Sequence, residues 1–218
     1  MKDRKIIIPK DLLILLILAT VLNLGRFSFF DKGSFLFLFW NMFLAFVPFM
    51  ISSWMVWYQK RPTMYLPFMI AGFIAWLLFF PNAPYLITDL IHTGRVMIVP
   101  VFYDLLVLFS SALVGLSFSF YSLAHIESLI RVKFSKRNTH AILIGILLVS
   151  SFGIYLGRFI RFNSWNVVTD HTTLFSKIWA IISRPYAHQE AYLFTAFFFF
   201  TIYMLYSAWK HTKPPVID

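Results

Sequence analysis

Residues 71–95 read AGFIAWLLFFPNAPYLITDLIHTGR, and the break at Pro81 decides how the chain is parsed. Up to Phe80 the run is apolar and, with the residues before it, long enough to complete a membrane crossing, which takes about 20 residues. Beyond it, Asn82, Tyr85, Asp89, His92 and Arg95 crowd into a short stretch. Pro81 lacks a backbone donor and is expected to end the crossing. Asn82 is a favoured helix cap, Pro84 suits a first turn, and Gly94 suits a closing position. This predicts a short helix near 83–93, too short to cross, lying at the interface or dipping back as a re-entrant segment. With an α-helical period, Tyr85, Asp89 and His92 share one face. Two prolines thus aim a polar stripe.

The composition says what surrounds that stripe. The 218 residues are 60% hydrophobic, 20% aromatic and only 13% charged, with mean hydropathy +0.75. A soluble domain carries about 25% charged residues. The sequence therefore predicts an all-α polytopic transmembrane helical bundle, a single integral membrane domain over 1–213 with a loose tail at 214–218. Six spans are expected near 9–27, 34–57, 63–80, 101–124, 140–160 and 188–209. Rings such as Trp40, Trp57, Trp76, Tyr103, Tyr155 and Trp209 fall near span ends, as aromatic belts do. The basic, apolar opening lacks a clean small-x-small cleavage pattern and reads as a retained first span. Cysteine is absent, which removes disulfide, thiolate and Cys-zinc chemistry.

A net charge of +10 in so apolar a chain is explained by topology and by anionic lipid, so the lipid bilayer is the expected partner and nucleic acid is not. Of the 19 lysines and arginines, only Arg26, Lys32, Arg95, Arg158, Arg161, Lys177 and Arg184 fall on the side opposite the termini. The positive-inside bias then places both termini in the cytoplasm and the 79–95 stretch outside. Oligomeric state has no signature in the sequence.

On that outer side a second segment stands out, SSFGIYLGRFIRFNSWNVV at 150–168. Gly153 and Gly157 have the spacing that lets helices approach closely. Arg158 and Arg161 share a face if the helix continues, with Asn163 and Trp165 just beyond. Guanidinium groups at a membrane boundary need partners and suit bidentate contact with carboxylate or phosphate. Asp89 and Asp104 are the expected carboxylates. Arg26, Arg158 and Arg161 outnumber them, which leaves room for an anion. The plainer alternative is that these charges only clamp helix ends together. Span four adds a seam of Asp104, Ser111, Gly115 and Ser122, which serves as a packing groove more often than as a transport path.

Other chemistry finds little support. Asp89-x-x-His92 and His188-x-Glu190 have nonspecific metal spacing and lie among arginines, so no metal is expected. No phosphate-binding glycine loop, nucleophile elbow or zinc-protease motif occurs, and no cofactor is implied.

The strings FPNAPYLITDLIH at 80–92, YDLLVLF at 103–109 and GIYLGRFIRFNSW at 153–165 resemble a family of bacterial polytopic membrane proteins, domain of unknown function 1361. The resemblance spans most of the chain and implies a bacterial plasma membrane location. It singles out Asn82, Pro84, Tyr85, Thr88, Asp89, His92, Tyr103, Asp104, Gly157, Arg158, Arg161, Asn163, Ser164 and Trp165, and brings no reaction with it. Three functional expectations remain. The leading one is binding, with or without transport, of a small anionic or phosphate-bearing ligand at an outer-face site built from Asn82, Tyr85, Asp89, His92, Asp104, Arg158, Arg161, Asn163, Trp165 and Arg26. The others are an enzyme acting on a lipid-linked substrate, with Asp89 or His92 as general acid or base, and a structural or assembly protein.

Overall fold

A computed structural model describes residues 8–30, 35–61, 64–93 and 99–212. All regular structure among them is helical. In chain order the α-helices are α1 (Lys10–Phe29), α2 (Phe37–Gln59), α3 (Leu66–Phe79), α4 (Asn82–Tyr85), α5 (Val101–Arg131), α6 (Lys136–Tyr155), α7 (Asn166–Thr169), α8 (His171–Ser183) and α9 (Gln189–Thr212). A 3-10 segment, Leu86–His92, follows α4, a π turn, Leu156–Ile160, follows α6, and a second 3-10 segment, Pro185–His188, leads into α9. Six stretches are long and apolar enough to cross a membrane: Lys10–Phe29, Phe37–Gln59, Leu66–His92, Val101–Arg131, Lys136–Ile160 and Pro185–Thr212. The chain is thus an all-α, multi-pass protein with the six expected spans.

Two compact units are formed, Met1–Val132 and Lys133–Asp218. In the first, α5 is the axis: α1, α2, α4 and the 3-10 segment all pack on it, and α3 packs on α2. Gly115 makes that arrangement possible. A Cβ there would run into the carbonyl oxygen of Ala83, so only glycine lets the α4 backbone touch α5. In the second unit α6 packs along α9. Its core joins Tyr155, Leu156, Leu174, Ile181 and Ala191, and Ser135 starts α6 by accepting a 3.3 Å bond from the Asn138 backbone N–H.

The break at Pro81 is softer than the sequence predicts. Phe80 and Pro81 keep right-handed helical dihedrals, with Pro81 at φ −57°, ψ −27°. The Phe80 N–H still donates to Trp76 O at 2.7 Å, and the Tyr85 N–H donates to Pro81 O at 3.1 Å. Asn82 is therefore not an N-cap. Its side chain instead donates to Phe79 O at 2.9 Å, serving a carbonyl at the end of the preceding helix. Pro81 and Pro84 each remove a donor from the ladder, and beyond them the chain winds with the tighter 3-10 period. Three residues per turn aligns Leu86, Asp89 and His92, so the expected Tyr85, Asp89, His92 stripe gives way to this one. Gly94, expected to close the segment, and the tail expected at 214–218 lie outside the described residues.

Candidate functional site

The first unit carries its polar groups as pins between helices. Arg26 on α1 donates from Nε to Asp104 Oδ1 on α5 at 2.7 Å, and both side chains are buried. The guanidinium carbon lies 3.8 Å from the centre of the Phe35 ring. Phe35 in turn belongs to a buried apolar cluster with Leu38, Val107 and Leu108. Apolar walls strengthen the attraction and make an unpaired charge costly, which suits a clamp. Deeper along the same helices, Asn23 Nδ2 donates to Ser111 Oγ at 3.3 Å. Near the start of α1, Tyr121 O–H donates to the Asp11 carboxylate at 2.8 Å.

Pins also join α5 to α2 and α3. Trp76 Nε1–H donates to Ser122 Oγ at 2.6 Å, and Ser122 passes its own proton to Pro48 O at 3.1 Å. The expected seam of Ser111, Gly115 and Ser122 is therefore filled by neighbouring helices. Ser52 Oγ donates to Phe49 O at 3.0 Å and lies 3.2 Å from His125 Nδ1. Ser53 Oγ lies 3.5 Å from the same nitrogen, so His125 ties α5 to two serines of α2.

The described part of the 79–95 stretch, 79–93, is also anchored. Asp89 is buried, and its Oδ2 accepts from Asn41 Nδ2 on α2 at 2.9 Å. His92 Nδ1 lies 3.0 Å from the Asp89 backbone carbonyl. A carbonyl only accepts, so Nδ1 carries the proton. The imidazole lies 5.1 Å from the Phe37 ring. Among the described residues no three His, Asp or Glu side chains are grouped closely enough to hold a metal ion. Tyr85 is half-buried, and Thr88 Oγ1 donates to the Tyr85 carbonyl at 2.7 Å.

Arg158, Arg161, Asn163 and Trp165 belong to the second unit and form its membrane-boundary segment. Arg158 and Arg161 would share a face only if the α-helix continued through them. Instead α6 widens into the π turn and stops at Arg161, which holds φ 65°, ψ 31°. It is the one non-glycine residue with positive φ among those described. Leu156 O accepts from the N–H groups of both Arg161 and Phe162. This closes the helix as a left-handed cap does, but one residue wider. Glycine is usual there, and arginine carries a steric cost of about 1–2 kcal/mol.

Beyond the cap, the Asn163 N–H donates to Asn166 Oδ1 at 2.6 Å, making a tight turn into α7. Arg161, Asn163 and Trp165 are exposed and Arg158 is half-buried. Glu190 accepts a 3.3 Å bond from the Tyr155 hydroxyl. Between Leu156 and Glu190 the chain has four arginines and lysines against two acidic residues, Asp170 and Glu190.

No helix is expected from the sequence between the spans at 140–160 and 188–209, yet α8 lies there. The signal was present, since Leu174, Ile178 and Ile181 recur at helical spacing and all three belong to the core of this unit.

The family described as "Protein of unknown function (DUF1361)" matches residues 40–205, and the chain belongs to it. The match takes in Asp89, Asp104, Arg158 and Arg161 and leaves out α1 with Arg26. No curated protein and no solved structure matches the chain.

Proposed function

We propose that this multi-pass protein binds a small anionic, phosphate-bearing group at the boundary segment Arg158–Trp165. The observation that carries the reading is Arg161: an exposed cation held in a left-handed cap position that glycine would fill at lower cost. Strain of this kind persists where a side chain is needed at a fixed place. Arg158 and Arg161 supply planar donors suited to phosphate oxygens, the Asn163 amide a further donor, and Trp165 an amphipathic ring at the rim. The local excess of positive charge favours an anion.

Arg26 leaves the expected ligand set, because Asp104 already neutralises it within the first unit. Asn82, Tyr85, Asp89 and His92 serve in this reading to seat the 3-10 segment on α5 and α2. The protein is proposed to lie in a bacterial plasma membrane with both termini cytoplasmic, on the strength of its basic-residue bias. The closed Arg26 and Asp104 pair favours a second reading, a purely structural or assembly protein.

Thermal unfolding in detergent separates the two. Inorganic phosphate, polyphosphate or glycerophosphate headgroup analogues should raise the midpoint of the wild-type chain, because a ligand that binds only the folded state stabilises it. The rise should vanish in Arg161→Gly and shrink in Arg158→Lys. No rise with any anion leaves the assembly reading.

A further inference from the structure

We infer that α8 is an interfacial membrane helix whose Phe175, Trp179 and Ile182 insert into the headgroup boundary of the bilayer. The inference does not rest on anion binding at Arg161. At about 1.5 Å per residue, the 13 residues of His171–Ser183 reach about 20 Å, short of the roughly 30 Å hydrocarbon core. The helix is nevertheless apolar over much of its circumference.

Its surface divides into three sectors, in order, at about 100° per residue. One sector, Leu174, Ile178 and Ile181, faces the core of its own unit against Tyr155, Leu156 and Ala191. The adjoining sector is Phe175, Trp179 and Ile182, with Trp179 70% exposed against 6% for Leu174. The remaining arc holds Thr173, Ser176 and Lys177, all exposed. A protein-facing stripe, an apolar flank and a polar arc are what a helix meets when it lies along a bundle at the membrane surface.

What covers the flank follows from where the chain is tied. α8 lies between two spans, Lys136–Ile160 and Pro185–Thr212, so the segment leaves the bilayer and returns to it within about 25 residues. Tyr186, just after α8, is 89% exposed, and Lys177 lies on the polar arc across the helix from the apolar sector. Exposed Trp and Tyr rings suit the interfacial zone of a bilayer. A water-facing flank would instead leave three large apolar side chains hydrated beside a polar arc fully able to face water.

The natural absence of cysteine makes the test direct. Single cysteines replacing Phe175, Trp179, Ile182, Ser176 or Lys177 are spin-labelled in the full-length chain, reconstituted in vesicles of phosphatidylcholine and phosphatidylglycerol. All five positions are exposed, so the fold is not challenged. Labels at 175, 179 and 182 should collide with oxygen several times more, relative to a nickel chelate, than labels at 176 and 177. If all five resemble one another in nickel access, α8 stands off the membrane and the inference fails. If 175, 179 and 182 are immobilised and shielded from both reagents, protein covers the flank, from this chain or a second copy, and the inference also fails.

Discussion

Arg26 and Asp104 lie 78 positions apart in the chain and meet across α1 and α5 at 2.7 Å, with relative exposures of 1% and 0%. A charge pair so enclosed is a poor site for a ligand and an effective constraint on helix register. Removing one partner strands the other in apolar surroundings, at about 3–5 kcal/mol. Arg26→Leu and Asp104→Leu should each lower the detergent melting midpoint severely, and the double variant should recover much of the loss. Additive losses in the cycle would show that the pair is not coupled.

Gly115 sets the distance between α4 and α5. Gly115→Ala places a methyl group against the Ala83 carbonyl, which belongs to backbone and cannot swing aside. Overpacking of this kind costs about 1–3 kcal/mol, and Gly115→Val should cost more. Gly145, where an added Cβ meets nothing within 4 Å, supplies the control. Gly145→Ala should match or exceed wild type in chemical denaturation, because alanine is the better helix former.

Arg161→Gly distinguishes a backbone role from a ligand role. Relief of the left-handed strain at φ 65° should stabilise the folded chain by about 1 kcal/mol. The same variant should lose the midpoint rise produced by phosphate compounds. A variant less stable than wild type would mean that the guanidinium holds the fold together, and would count against the proposed site.

Topology gives a prediction that needs no ligand. Two spans separate Lys136 from Lys210, with the α7 and α8 segment between them. Single cysteines at 136 and 210 should therefore react with an impermeant maleimide from one side of sealed vesicles, and one at 171 from the other. The positive-inside proposal adds that 136 and 210 are cytoplasmic. Reaction of all three from one side would remove the crossings assigned to the second unit.

The number of apolar stretches long enough to cross was determined by sequence alone, because crossing hydrocarbon demands a run of apolar residues whatever packs beside it. That Pro81 interrupts the third stretch and that Asp89, Asp104 and the arginines are charges needing partners was equally legible, since proline chemistry and charge near lipid are local properties. Tertiary structure decided what those residues do. Asp104 has Arg26 as its ion-pair partner, a choice made by the crossing of α1 on α5 and invisible to any local pattern. Pro81 and Pro84 are plain in the sequence, yet the α-helix that starts after Pro81 lasts only four residues before the chain tightens into a 3-10 segment. The closing of α6 by a π turn at a left-handed arginine has no sequence rule behind it, because arginine ordinarily avoids that conformation. α8 needed both kinds of information: its spacing marks a helix, but only the core around Tyr155 and Ala191 shows which apolar flank is buried and which is left exposed.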